Sequence, residues 1–90
     1  MRIVAVCGMG IGTSVLLKMN AEKVLRNMGI EATVEACDVA TARRSAESAN
    51  IVLTTPELVE SLKGLSAEII SIEHFFDLQE ITTKLSKALL

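Results

Sequence analysis

A chain of 90 residues makes one small domain and leaves no room for a second catalytic unit. Nine basic and eleven acidic residues are mixed along it for a formal net charge of −2, which provides no basic stripe for nucleic acid or an anionic lipid surface. Half of the residues are hydrophobic, but Trp and Tyr are absent and the aromatic residues are Phe75 and Phe76, so a base-stacking platform is excluded and the core must be Val, Ile, Leu, Ala and Met.

Cys7 and Cys37 form no CxxC pair, and with no secretory pattern ahead of them they point to a reducing cytosol. Met1 leads directly into the first apolar run, so no targeting segment is expected, and no apolar stretch approaches the roughly 20 residues that cross a bilayer. The expectation is one cytoplasmic domain, residues 1–90, free to serve a membrane partner.

In chain order, Arg2 to Val6 is β-branched and almost continuously apolar, as expected of a strand buried on both faces of a parallel sheet. It runs into Cys7-Gly8-Met9-Gly10-Ile11-Gly12-Thr13-Ser14. From Thr13 to Met28, Leu17, Ala21, Val24, Leu25 and Met28 share one helical face, and Gly29 supplies the stop. Ile30 to Cys37 alternates, predicting an edge strand with Glu31, Thr33, Glu35 and Cys37 on a wet face.

Asp38 is placed to cap a short Ala-rich helix reaching about Ser48. Asn50 to Leu53 predicts a second central strand. Thr55 as N-cap with Pro56 behind it, or a capping box from Thr54 to Glu57, predicts a two-turn helix to Lys63, stopped by Gly64. Glu68 to Ile72 is a fourth strand, and Asp77 with Glu80 opens a last helix whose inner face carries Leu78, Ile81, Leu85 and Leu89. The alternation predicts an α/β fold: an open four-stranded parallel sheet of order 2-1-3-4 with helices on both faces. Ligands bind such sheets where the connection reverses, between strands 1 and 3, which is where the Cys7 loop and the Thr54/Thr55 turn meet.

The glycines at 8, 10 and 12 let the loop turn its N–H groups inward, and the following helix adds unsatisfied N–H groups and the positive end of its dipole. Gly8 to Ser14 therefore read as an anion cradle. The same surroundings are of the kind that bring a thiol pKa from about 8.5 toward neutrality, so Cys7 is expected to be a thiolate nucleophile needing no separate base. A phosphoryl group on its sulfur would meet several loop N–H donors and the Thr13 and Ser14 hydroxyls. Simple helix capping is an alternative role for those two hydroxyls.

Gly8-Met9-Gly10 begins a dinucleotide fingerprint, but its third glycine position holds Thr13, and no GK[ST] follows. Asp38 stands where a ribose-binding acid would be expected, which gives the nucleotide reading its remaining support.

The cysteine at the end of the first strand, then GMGIGTS, then VLLKMN, resemble the IIB component of the bacterial phosphoenolpyruvate-dependent sugar phosphotransferase system, in the branch with the ascorbate and galactitol IIB proteins. The specific motif spans Val4 to about Asn20; the rest agrees in length and element order. The resemblance implies that Cys7 accepts a phosphoryl group from a phosphohistidine of a IIA partner and passes it to a sugar, ascorbate-like or a polyol, bound in a membrane IIC transporter. It also implies Gly8, Met9, Gly10, Ile11, Gly12, Thr13 and Ser14 as the phosphate cradle, with no metal and no organic cofactor.

The low-molecular-weight phosphotyrosine phosphatase has a similar fold, but its CX5R loop needs an arginine where this chain has Thr13, and its Asp-Pro acid loop is missing because Asp38 and Asp77 precede other residues. Without a guanidinium clamp hydrolysis is poorly supported. Arsenate reduction lacks the same arginine and a resolving pair, with Cys37 expected on an exposed edge. A non-catalytic phosphate-responsive module with an inert Cys7 is the alternative from another class. His74 is read as a surface or loop-packing residue, Phe75 and Phe76 as cover for the last helix, and Arg43 and Arg44 as a solvated face.

Overall fold

The computed structural model describes residues 1–7, 11–45 and 48–89. Its four strands, β1 (Arg2–Val6), β2 (Thr33–Cys37), β3 (Ile51–Thr54) and β4 (Glu68–Ser71), form a parallel sheet of order β2-β1-β3-β4. Ile3, Val4, Ala5 and Val6 have no exposed surface, because β1 is paired on both edges and covered on both faces.

Alternation along the strands divides the interior. Ile3, Ala5, Cys7, Ile51 and Leu53 face Leu17, Ala21, Val24 and Leu25 of α1 (Ile11–Asn27) and Ile81 and Leu85 of α3 (Leu78–Leu89). Val4, Val6 and Val52 face Ala42 of α2 (Val39–Ser45) and Leu62.

Strand β2 begins at Thr33, three residues later than the alternation suggests. The reason is a Schellman closure of α1: Gly29, at φ +73, donates from its N–H to the Arg26 carbonyl, and the Ile30 N–H donates to Leu25 O at 2.9 Å. Ile30 thus ends a helix instead of starting a strand. Cys37 is likewise not on an open face; it is half-buried against the Val4, Val6 and Ala42 cluster, and α2 covers that side. Its neighbour on that face, Glu35, pairs with Arg2 at 3.0 Å.

Asp38 caps α2 as expected, its Oδ1 accepting from the Thr41 N–H at 2.7 Å, and the helix ends at Ser45. The expected two-turn helix after β3 is instead a pair of 3₁₀ turns, Pro56–Leu58 and Glu60–Leu62. Its hydrogen bonds all run from residue i to i−3, and Leu62 is its buried side chain. A 3₁₀ turn rises about 2.0 Å per residue against 1.5 Å in an α-helix, so it carries the chain farther toward β4 while anchoring one apolar residue.

At the head of α3, Asp77 Oδ1 accepts from the N–H groups of Gln79 and Glu80. Glu80 does not reach back to Asp77 in a capping box. Its carboxylate instead takes the Glu73 and His74 N–H groups at 2.7 and 2.9 Å, the Lys84 Nζ at 2.7 Å and the His74 Nδ1 at 3.2 Å. Burial opposes its charge, but Lys84 and the two backbone donors outweigh that and hold the Glu80 carboxyl at about 2, against 4.5 ordinarily. A lowered folded-state pKa gives stability present above pH 4.5 and lost as pH falls toward 2. In thermal melts, Glu80→Gln is expected to lower Tm by about 4 °C or more at pH 7, with the gap to wild type closing near pH 2.5.

Candidate functional site

Strand β1 delivers Cys7 to the point where the chain's connections part, β2 lying on one side and β3 on the other. The thiol is free and only 3 % exposed. Helix α1 begins at Ile11, two residues earlier than the periodicity predicts, so the backbones of Ile11, Gly12 and Thr13 belong to its first turn. That turn carries no acidic side chain, leaving the positive end of the dipole uncancelled from within the helix. Ser14, also in the expected cradle, is buried at 2 % exposure. Gly8, Met9 and Gly10 lie outside the described residues.

The thiol does not fit the expected thiolate. Burial pushes the Cys7 pKa up, and the Glu57 carboxylate, brought to it by the first 3₁₀ turn, pushes it further. Desolvation is the larger of these two causes. Glu57 is a residue that sequence reasoning assigned only to capping; its separation from Cys7 in the chain gave no sign that its charge would act on the thiol.

The two threonines at the end of β3 have divided their roles. Thr54, fully buried, donates from Oγ1 to the Val6 carbonyl at 2.9 Å and so ties β3 to β1 directly beside Cys7. Thr55 sits at the N-cap position of the first 3₁₀ turn without capping it. Among the described residues, its Oγ1 is the buried side-chain polar atom with no hydrogen-bond partner. An unsatisfied buried hydroxyl costs about 1–3 kcal/mol.

The β4–α3 connection stands at the same end of the sheet. Asn20 Nδ2 donates to the Phe75 carbonyl at 2.9 Å, fastening this connection to α1. Phe75 packs into the α1/α3 core, whereas Phe76 is 66 % exposed and covers little. His74 is on the surface, held by Glu80. A concavity lined by Glu22, Leu25, Arg26, Ile30, Glu31 and Ala32 lies near the other end of α1, roughly 17 to 22 Å along its axis from Ile11, and contains no nucleophile. No group of His, Cys, Asp and Glu suited to a metal ion occurs among the described residues.

These features define an open parallel α/β domain with a buried cysteine at its switch point. The family model for "PTS system, Lactose/Cellobiose specific IIB subunit" matches residues 2–87, and the chain belongs to that family. It is a IIB component of the phosphotransferase system, a phosphotransferase of sugar transport. The ascorbate-specific EIIB component of Mycoplasma pneumoniae is 33 % identical over 90 residues, covering 99 % of this chain and 95 % of that protein. Its counterpart from Escherichia coli O157:H7 is 33 % identical over 57 residues, covering 63 % of this chain and 56 % of that protein.

Among solved structures, the lactose-specific IIB domain from Streptococcus pneumoniae superposes with a TM-score of 0.67 at 13 % identity, covering 99 % of this chain and 94 % of that one. A YwlE mutant from Bacillus subtilis superposes with a TM-score of 0.60 at 11 % identity, over 97 % and 90 %. The latter carries the low-molecular-weight phosphotyrosine phosphatase fold, so the architecture is common to both groups.

Two outcomes are expected from alkylation. In a Cys37→Ser background, iodoacetamide modifies Cys7 more slowly at pH 7 than it modifies a free cysteine thiol, and the rate climbs past the ordinary thiol pKa. Glu57→Gln shifts that pH profile downward, as measured by intact mass against time.

Proposed function

We propose that Cys7 is the phosphoryl acceptor of this IIB component, in a single domain that works in the cytoplasm and associates transiently with a membrane transporter. The observation that carries this is the position of Cys7: at the C-terminal end of a doubly paired strand, at the switch point, ahead of a 17-residue helix. The donor is a phosphohistidine of a IIA protein, and the acceptor is a sugar in a IIC transporter. The Mycoplasma relative supports an ascorbate-like substrate. Leu16 and Met19, exposed at 40 % and 58 % on the half of α1 nearer Cys7, offer an apolar face for brief docking.

The raised thiol pKa suits a transfer that carries its own proton. Sγ attacks phosphorus, the S–P bond forms as the N–P bond breaks, and the departing imidazole nitrogen keeps the electron pair and takes the thiol proton. In the second step a sugar hydroxyl oxygen attacks, the O–P bond forms, the S–P bond breaks, and the sulfur recovers a proton from that hydroxyl. A thiol of higher pKa is also the stronger nucleophile once deprotonated. Gly8 to Ser14 serve as the cradle, with backbone N–H groups and the helix dipole neutralising the phosphoryl charge. Thr13 in place of an arginine disfavours hydrolysis and lets the phosphocysteine persist.

One observation favours a different reading. A buried thiol with a raised pKa is what a non-catalytic phosphate-responsive module would carry. Intact mass separates the two readings after incubation with phosphoenolpyruvate, the general phosphotransferase proteins and IIA domains of the ascorbate and lactose systems. One phosphoryl mass is expected on wild type and Cys37→Ser and none on Cys7→Ser. A wild-type chain that gains no mass overturns the carrier reading in favour of the module.

A further inference from the structure

The parallel register pairs Val6 with Thr54, so the next residues along the two strands are Cys7 and Thr55. Thr55 keeps an extended backbone, at φ −100 and ψ 159, and so continues the alternation of β3. Its side chain therefore falls on the face of Ile51 and Leu53, the face that also carries Ile3, Ala5 and Cys7. Thr54 turns to the opposite face and spends its hydroxyl on Val6. Continuing the register puts Thr55 next to Cys7; the residue is 8 % exposed and its hydroxyl has no partner among the described residues.

A threonine at this position ordinarily gives its oxygen to an N–H of the turn that follows. Thr55 gives nothing to that turn, and its buried hydroxyl is left without a partner among the described residues, on the sheet face that carries Cys7. No described residue of the resting protein accounts for it, whereas an anionic group on the Cys7 sulfur would. A phosphoryl group brings three acceptor oxygens into a region from which water is largely excluded, where a fixed O–H donor binds it strongly.

We infer that Thr55 is a phosphoryl-positioning residue: its Oγ1–H donates to an oxygen of the phosphoryl group on Cys7, supplementing the backbone cradle from the neighbouring strand. The inference rests on the carrier reading above. Because the donor is preformed and unpaired, it strengthens phosphocysteine and the transfer step without stabilising the resting fold.

The test compares wild type, Thr55→Val and Thr55→Ser. Thr55→Val keeps the shape and removes the hydroxyl; Thr55→Ser keeps the hydroxyl. Three readouts are taken: phosphoryl uptake from a IIA donor by intact mass, Tm, and the pH profile of Cys7 alkylation in the Cys37→Ser background. Thr55→Val is expected to slow uptake about tenfold or more, the loss of one hydrogen bond to a charged group, while its Tm is equal to or above wild type. Thr55→Ser is expected to retain most of the uptake, and the alkylation profile should remain within about twofold of wild type in both variants, since no bond to the resting thiol is lost.

Uptake by Thr55→Val at the wild-type rate overturns the role of Thr55 while leaving Cys7 as carrier. An equal loss in Thr55→Ser, or a fall in Tm that parallels the loss of uptake, makes the residue merely structural and overturns it as well. A change in alkylation as large as the change in uptake assigns Thr55 to the ionisation of the thiol instead. Absence of uptake in wild type removes the carrier reading and this inference with it.

Discussion

The double pairing of β1 is the constraint from which the site follows. With β2 on one edge and β3 on the other, and helical cover on both faces, the strand has no free backbone and no exposed side chain from Ile3 to Val6. The chain can leave it only at its C-terminal end, in the crevice where the connections on the two sides diverge. A residue placed there is flanked by β3 and followed by the N-terminus of α1. Cys7 occupies that place, and the Thr54 bond to Val6 closes the two strand ends beside it.

That position sets two physical effects against each other. The start of α1 and the backbone N–H groups favour negative charge, whereas burial and the Glu57 carboxylate penalise it on the bare sulfur. If Cys7 carries a phosphoryl group as proposed, the balance differs between the resting and the loaded protein. A thiolate is a small charge that must lose its water to sit here, while a phosphoryl group carries several oxygens that reach outward to donors the sulfur does not touch. On the carrier reading proposed above, the sulfur stays protonated until a phosphoryl group arrives. That reading also accounts for a site that belongs to a phosphotransferase family while its cysteine has a raised pKa at rest.

Around this centre the fold is held by ties that differ in purpose. Glu80 fastens the β4–α3 connection through two backbone N–H groups and Lys84, and Asn20 fastens the same connection to α1. Arg2, at the start of β1, pairs with Glu35 in the middle of β2. These contacts stiffen the frame that carries the site without entering its chemistry. Leu16 and Met19 of α1 are in contrast left exposed, and Phe76, though its ring meets Phe75 and His74 edge-on, is largely exposed as well.

Much of this was legible in the chain itself. The apolar run from Arg2 to Val6 pointed to a central strand and the alternation from Ile30 to Cys37 to an edge strand, which together gave the strand order, although β2 starts only at Thr33 and Cys37 is half-buried. The cysteine, glycines and helix start are contiguous, so the candidate site and the family were readable without coordinates. What the chain did not reveal depends on distances between segments far apart in sequence. The 3₁₀ turns after Thr55 are settled by how much chain must bridge β3 and β4, whereas the helix stop at Gly29 was readable and only its consequence, the late start of β2, was not. The raised pKa of Cys7 needs the depth of burial and the charge of Glu57, 50 positions further along the chain. The separate fates of Thr54 and Thr55 need the register of β3 on β1, which assigns one hydroxyl to a carbonyl and leaves its neighbour unpaired beside the cysteine. Local pattern determined the elements and their chemistry, because propensity and periodicity act within a few residues; tertiary packing decided charge state and hydrogen-bond partners, because desolvation and pairing exist only once the strands have met.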